Sequence, residues 1–271
     1  MPSLNLNKLN SSRLGSKKLI VFDLDGTLAP TKAQMDADMA ALVRSLLKAK
    51  HVAIIGGGKL QLFKHQFLSC LKASSGLLKN LFLFPTTGTT FLRYSGKSLK
   101  TVYAHKLTGA QVKKIFAAFH KVLSEINYQP PAKIYGKVLE NRGSQVTWSA
   151  LGQDVVKILG KKGIDLKNKW RDENTPLKLK IAKHLKNYLP DLEVHAAGHT
   201  SIDVTQKGID KAYGLRQMSS HLNVKIKDML FIGDAIFPGG NDYAVVKTGV
   251  DYMKVKNPED TKKIIRQLLI S

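Results

Sequence analysis

The stretch Lys18-Leu19-Ile20-Val21-Phe22-Asp23-Leu24-Asp25-Gly26-Thr27 decides how the rest of the chain is read. Leu19 to Phe22 is a short apolar run of β-branched and aromatic residues, the pattern of a buried strand. Asp23 and Asp25 then emerge at its carboxyl end, where open α/β sheets hold their ligands. Gly26 permits a sharp turn, and Thr27 adds a hydroxyl. Two carboxylates one residue apart at a strand end suit a divalent metal and a phosphorylated substrate. One carboxylate can attack phosphorus and form an aspartyl-phosphate; the other can move a proton.

Outward from that strand the pattern alternates. Met35, Met39, Leu42, Val43, Leu46 and Leu47 recur at helical spacing, and His51 to Ile55 reads as a second buried strand. Gly56-Gly57-Gly58-Lys59 follows, then a helix from about Leu60 to Leu71 and a third strand, Leu81 to Phe84, stopped by Pro85. This β-α-β-α-β order predicts a parallel sheet covered by helices. After Pro85 the period changes. Thr89 to Tyr94 and Ser98 to His105 read as a hairpin, and Thr108 caps a helix to Ile126. Tyr135 to Leu139 and Gln145 to Ser149 read as strands, followed by a helix over Pro176 to Tyr188 with Thr175 as its cap. Leu192 to Ala196 and Ser201 to Thr205 are two more strands. From Gly208 the alternating pattern resumes. Asp210 to Leu222 is helical and Met229 to Ile232 is a buried strand. Val245 to Val250 and Tyr252 to Val255 are weaker strands, and a helix closes the chain at Thr261 to Leu269. The expected organisation is a discontinuous α/β core at 17–85 and 207–271, an α+β domain inserted at 86–206, and a flexible tail at 1–16.

Composition bounds the function. The 271 residues are 43% hydrophobic, enough for a packed core, and no apolar run reaches the 18 residues of a membrane span. The polar start of the chain lacks the apolar segment of a secretory signal. One cysteine, Cys70, excludes an internal disulfide and a cysteine zinc site, and is expected as a small core residue. A cytoplasmic location is expected. The net charge of +23 predicts attraction to anions, whether phosphorylated metabolites, nucleic acid or membrane surfaces. Lysines are densest at Lys157 to Lys186, but no basic block interleaves with aromatics, so a solvated cationic surface is expected.

Four clusters carry the chemistry: Asp23 with Asp25; Gly56-Gly57-Gly58-Lys59; Lys211 at a helix start; and Gly233-Asp234 followed by Pro238-Gly239-Gly240-Asn241-Asp242. In a parallel sheet the strand carboxyl ends share one edge, so Asp23, Asp25 and Asp234 are expected to converge. Oxygen-only ligands of this kind suit Mg²⁺. A lysine neutralises a nucleophile and phosphoryl oxygens as a point charge, and main-chain N–H groups of a glycine loop hold phosphate oxygens. The loop does not fit the Walker pattern, because Ala53 and Leu60 stand where glycine and Ser/Thr are needed. Asp242 also has a competing use as a helix N-cap. Trp148, His195 and His199 are expected to be structural.

Taken together, DxDGT, the position of the insert, Gly208-Ile209-Asp210-Lys211 and the Gly233 to Asp242 segment resemble the haloacid dehalogenase superfamily with a large α+β cap. The Gly233 to Asp242 and Ser201-Ile202-Asp203-Val204 stretches are similar to eukaryotic-type phosphomannomutases and their bacterial relatives. The resemblance implies an α/β fold with a Rossmann-like parallel sheet and a cap that closes over the site. It implies Asp23 as nucleophile, Asp25 as acid/base, and Lys211 as the supporting cation. Mg²⁺ would be held by Asp23, Asp234 and Asp242, with the main-chain carbonyl of Asp25. Thr27, Gly57 and Gly58 would hold the reacting phosphate, and Arg142, Ser201 and Asp203 the sugar phosphate. An oligomer formed through the cap belongs to the same set of expectations.

Two departures bear on activity. The superfamily's second motif offers Ser or Thr where Gly56 stands; the mutases place Ser two residues later, where this chain has Gly58. Loss of such a donor removes roughly 2.7–4 kcal/mol of transition-state binding unless another group replaces it. The mutase pattern P-I-G-R becomes Ala150-Leu151-Gly152-Gln153, replacing a guanidinium by a neutral amide. That favours hydrolysis of a single phosphate over handling of a bisphosphate. The leading expectation is a Mg²⁺-dependent phosphatase acting on a small phosphorylated metabolite, a sugar phosphate. A phosphomannomutase-like phosphotransferase is the alternative. A weakly catalytic, basic nucleic-acid-binding module is the third, disfavoured because the acidic constellation repels phosphates unless a metal is bound.

Overall fold

The structure, a computed structural model, describes residues 11–270; residues 1–10, the first part of the expected tail, and Ser271 lie outside the described residues. The first elements in chain order are α1 (Ser11–Gly15), β1 (Leu19–Asp23), α2 (Ala37–Ala49), β2 (His51–Ile55), α3 (Leu60–Phe63), α4 (Ser69–Leu71), α5 (Ser75–Leu78), β3 (Leu81–Phe84), β4 (Thr90–Ser95) and β5 (Ser98–Ala104). Then come α6 (Gly109–Glu125), β6 (Leu139–Asn141), β7 (Gln145–Ser149), α7 (Val155–Leu159), α8 (Lys161–Tyr188), β8 (Leu192–Ala197) and β9 (Ser201–Gln206). The chain ends with α9 (Lys211–Leu222), β10 (Met229–Gly233), β11 (Asp251–Lys254) and α10 (Pro258–Ile270).

The chain divides into two compact units. One comprises residues up to Ala104, Asp210–Pro238 and Asp242 onward; the other comprises His105–Ile209 and Gly239–Asn241. The first is an α/β unit built on a seven-stranded sheet, β11-β10-β1-β2-β3-β4-β5. β11, β10, β1, β2 and β3 are parallel, and β4 and β5 pair antiparallel at one edge. Alternation along the buried strands sends Ile20, Phe22, Val52, Ile54, Leu230 and Ile232 to one face against α2 and α10. Leu19, Val21, Ala53, Ile55 and Phe231 go to the other, against α9.

The β4–β5 hairpin was expected to open the inserted domain at residue 86. It instead extends the core sheet, and the second unit begins at His105 rather than 86 and ends at Ile209 rather than 206. Side-chain chemistry explains the placement: Phe91 of β4 stacks on Phe84 of β3 with ring centroids 4.5 Å apart. The switch from parallel to antiparallel pairing changes the sequence period without leaving the sheet. The expected flexible tail also needs correction at residues 11–16. Leu14 is buried, and Arg13 and Lys17 both reach the buried carboxylate of Asp251, at 2.6 and 2.5 Å.

The second unit is α+β, with the antiparallel sheet β6-β7-β9-β8 packed by α6 and α8. Thr108 caps α6 through a capping box with Gln111. One face of the sheet is apolar, with Val146, Trp148, Ile202 and Val204 fully buried. The expected start of a helix at Pro176 is overturned, because Pro176 lies inside the 28-residue α8. Trp170 and Ile181, on either side of it, are anchored in the apolar core, and that packing carries the helix through the proline. The strand expected at Tyr135 to Leu139 starts only at Leu139, and in place of the one expected at Val245 to Val250 a 3₁₀ turn, Tyr243–Thr248, ends on Gly249. Cys70 is half-buried rather than a core residue.

Candidate active site

β1 delivers Asp23 as its last residue, and the chain then folds back in a tight turn, with Gly26 N–H donating to the Ala29 carbonyl at 2.7 Å. Gly26 has φ +87°, and a Cβ there would sit 2.7 Å from Asp234 Oδ2. Glycine is therefore required twice over: for the backbone conformation and for the approach of a carboxylate from the neighbouring strand. Asp234 follows β10, and β10 pairs in parallel with β1. The same sheet edge thus receives both acids.

Lys211 is the first residue of α9, whose N-cap Asp210 accepts from Tyr213 N–H at 2.7 Å. α9 lies close to the turn after β3: a Cβ on Gly88 would meet Gly214 Cα at 3.0 Å. Lys211 is buried, and its ammonium donates to Asp23 Oδ1 at 2.5 Å and to Asp242 Oδ1. Asp242 Oδ2 accepts from Ala235 N–H at 3.0 Å. Its side chain makes no capping bond to the 3₁₀ turn that follows, so the competing use as an N-cap does not apply. Oxygens of Asp23, Asp234 and Asp242 all lie within 4.8 Å of one another.

The electrostatics follow from that packing. Burial holds Asp23 well above the usual carboxylate range, opposed by Lys211, with Asp242 and Asp234 adding to the rise. Asp234 is pushed up to about 7, first by burial and then by Asp242. Lys211 is held above the usual lysine value because two carboxylates outweigh its burial. Three acids share one lysine charge, an arrangement that favours binding of a further cation.

The remaining expected site residues fall as follows. The carboxylate of Asp25 stands outside the three-acid group; its Oδ1 accepts from Lys32 N–H at 2.6 Å and from Gln66 Nε2 at 2.9 Å. Thr27 is fully buried, and its hydroxyl has no partner among the described residues. The Gly56 and Gly58 carbonyls accept from Thr87 and Thr86 N–H, each at 2.9 Å, so the glycine turn, with Gly57 at its centre, is fastened to the turn after β3. Sequence reasoning passed over that second turn. Thr86 and Thr87 take φ values of 49° and 59°, which β-branched residues rarely adopt and which cluster at functional sites. Gln66 was also missed, since nothing in its spacing marks it.

Within the second unit, Ser201 and Asp203 of β9 share one sheet face with Thr147 and Ser149 of β7. Asp203 Oδ1 accepts from Thr147 Oγ1 at 2.7 Å. Arg142 donates to Glu140 at 2.8 Å and to Gln153 Oε1 at 2.9 Å. Gln153 in turn reaches the Thr147 carbonyl at 3.4 Å, so a polar chain runs from Arg142 to Asp203. Lys178 of α8 is buried with its ammonium on the Gly198 carbonyl at 2.6 Å; burial lowers its pKa to about 8.

Residues 20–248 match the family model of haloacid dehalogenase-like hydrolases. The chain belongs to this family. It is accordingly an enzyme of the phosphoryl-transfer type. Among curated relatives, the phosphomannomutase of Encephalitozoon cuniculi is 28% identical over 260 residues, covering 93% of this chain and 94% of that protein. The phosphomannomutase of Saccharomyces cerevisiae is 26% identical over 255 residues, covering 92% and 93%. Among solved structures, an IMP-bound, N-terminally truncated IMP-nucleotidase of Plasmodium falciparum superposes with a TM-score of 0.72 at 16% identity, covering 97% of this chain and 72% of that one. A trehalose-6-phosphate phosphatase of Aspergillus fumigatus gives 0.57 at 16% identity, covering both chains fully. These structural likenesses show the α/β fold alone. Among the described residues, no helix is long and apolar enough to cross a membrane.

Proposed function

We propose that this protein is a Mg²⁺-dependent phosphatase that hydrolyses a small phosphorylated metabolite, a sugar phosphate, through a phospho-Asp23 intermediate. The observation that carries the proposal is Lys211 bridging Asp23 and Asp242 while Asp234 completes a set of oxygens within 4.8 Å. Asp23, Asp234 and Asp242, with the main-chain carbonyl of Asp25, would hold Mg²⁺; their all-oxygen chemistry suits that ion. When bound, the ion neutralises phosphoryl charge and favours the ionised carboxylates.

In the first step an Asp23 oxygen bonds to phosphorus as the bond to the leaving oxygen breaks, and Asp25 gives that oxygen a proton. In the second, water bonds to phosphorus and loses a proton to Asp25, while the Asp23–phosphorus linkage breaks and inorganic phosphate forms. Lys211 keeps Asp23 directed and offsets charge on the phosphoryl oxygens. Thr27 Oγ, main-chain N–H groups of the Gly57-Gly58 turn and the strained Thr86–Thr87 turn are the candidates to replace the hydroxyl lost at Gly56. The polar face bearing Ser201 and Asp203, with Arg142 beside it, is the candidate for selecting the sugar. The lone Cys70 is consistent with a cytoplasmic enzyme.

The names of the curated relatives favour a second reading, a phosphomannomutase-like phosphotransferase using the same aspartates. Against it stands Gln153: Arg142 binds this neutral amide and Glu140, which leaves less cationic character for a second phosphate. Incubation with mannose 1-phosphate, Mg²⁺ and a hexose bisphosphate, followed by phosphorus NMR, separates the two. Hydrolysis predicts inorganic phosphate as the main product, absent with Asp23→Asn. Conversion to mannose 6-phosphate faster than phosphate release refutes the phosphatase.

A further inference from the structure

We propose that Gln66 is a positioning residue that fixes which oxygen of Asp25 faces the reacting groups. The inference rests on Asp25 being the acid/base of the proposed reaction.

Gln66 is fully buried in a segment where the helix widens into a π turn, Lys64–Leu68, between α3 and α4. π turns are rare and concentrate at functional sites. The amide reaches from there to the loop after β1. Nε2 donates to Asp25 Oδ1 at 2.9 Å and to the Ala33 carbonyl at 3.0 Å, so both of its hydrogens have acceptors. Its Oε1 is buried with no partner among the described residues. An unsatisfied buried amide oxygen destabilises a fold, and an apolar residue of the same volume would avoid it. What the glutamine contributes is therefore its donor, and that donor faces a carboxylate of the candidate site.

Lys32 completes the arrangement. Its backbone adopts a left-handed conformation, φ 56°, and directs its N–H to the same Asp25 Oδ1 at 2.6 Å. One carboxylate oxygen thus accepts two N–H donors, and the other accepts none from the described residues. An oxygen already accepting two N–H bonds is a poor place for a proton, because an added hydrogen would face both donors. Oδ2, which takes no donor from the described residues, is left as the oxygen through which Asp25 can give or take a proton. When the phosphorus–leaving oxygen bond breaks, Oδ2 gives up this proton and Asp25 becomes the carboxylate; Oδ2 later takes a proton from the attacking water. Gln66 enters neither transfer. It keeps Oδ2 on the reacting side in both.

The test compares two substrates. Mannose 6-phosphate expels an alkoxide that needs a proton; p-nitrophenyl phosphate expels a phenolate that leaves without one. Gln66→Met keeps the volume and removes the donor. We expect its kcat/KM on mannose 6-phosphate, which reads the step in which the leaving oxygen departs, to fall about 10–100-fold, a part of the 10²–10⁴-fold typical of a positioned acid or base. On p-nitrophenyl phosphate the loss in kcat/KM should stay below about 3-fold, because its leaving group needs no proton; hydrolysis of phospho-Asp23 is common to both substrates and is left out of this ratio. Asp25→Asn should show the same selectivity with a larger loss. If Gln66→Met does not fold, Gln66→Leu, which also lacks the donor, should show the same selective loss. Equal losses on the two substrates, or none, while Asp25→Asn remains selective, overturn the role of Gln66 alone. A crystal structure of Gln66→Met with Asp25 unmoved overturns it as well. If Asp25→Asn is itself unselective, the acid/base assignment of Asp25 fails and the proposal falls with it.

Discussion

Replacing Asp234 by Asn should make the metal-free protein more stable while removing its response to Mg²⁺. Asp234 packs beside Gly26 and shares a pocket of negative charge with Asp23 and Asp242. Its pKa rises from 3.8 to about 7, chiefly by burial and then by Asp242, with Lys211 opposing. A native pKa above the unfolded one means that the folded state binds more protons between those values. Metal-free stability must then fall as pH rises from about 4 through about 7, and the loss is complete by pH 8. At about 1.4 kcal/mol for each pH unit, the ionised side chain opposes folding by up to about 4 kcal/mol. Asp234 is partly solvated, so a gain of about 1–3 kcal/mol is expected for the isosteric amide at pH 8. In a chain of this size that raises the melting temperature by about 3–8 °C. Calorimetry in EDTA at pH 5 and pH 8 measures it: wild type should lose stability between the two, and Asp234→Asn should lose less, keeping the part that Asp23 contributes. Mg²⁺ at about 100 times its dissociation constant should then stabilise wild type by about 2.7 kcal/mol and leave the variant unmoved. An Asp234→Asn protein that melts below wild type at pH 8 in EDTA, or that keeps the wild-type Mg²⁺ shift, refutes the reasoning.

Three further outcomes follow from the same packing. Lys211→Met strands Asp23 and Asp242 without their shared cation, and because the raised pKa of Lys211 keeps its contribution fully present at neutral pH, urea unfolding at pH 7.5 should show a loss of about 3–5 kcal/mol. A loss below about 1 kcal/mol would contradict the buried bridge. Gly58→Ser restores a hydroxyl at the second motif, but the new Cβ would fall against Leu62, 3.2 Å from its Cβ. The single variant should therefore be less stable by about 1 kcal/mol, and adding Leu62→Ala should reveal a gain in kcat over Leu62→Ala alone; no gain would show that the turn does not face the phosphate. Asp251→Asn should release Arg13 and Lys17, destabilise the protein by about 3 kcal/mol, and speed amide hydrogen exchange in α1, whereas unchanged exchange would separate α1 from that carboxylate.

The parallel half of the core was legible because its strands are continuous apolar runs ending in glycine or acidic residues. Asp23, Lys211, Asp234 and Asp242 could be named because each sits at an element boundary that the pattern marks. What escaped were features set by tertiary contact. Phe91 on Phe84 drew the β4–β5 hairpin into the core sheet, although its alternation looked like that of the second unit. Pro176 carries every sign of a helix start, yet the buried residues on either side hold one continuous helix through it. Gln66 lies in a stretch that reads as ordinary amphipathic helix; only the π turn brings its amide to Asp25. Thr86 and Thr87 are β-branched residues in a conformation that sequence favours for glycine or asparagine, so no residue type announces the turn.

The most direct test of the account is to locate the phosphoryl group during turnover. Protein mixed with mannose 6-phosphate and Mg²⁺, quenched in acid within milliseconds and digested, should yield a peptide bearing one phosphoryl group on Asp23, formed at least as fast as phosphate is released and lost on longer incubation. Phosphate released with no such adduct, or an adduct that persists in Asp23→Asn, would contradict Asp23 as the nucleophile.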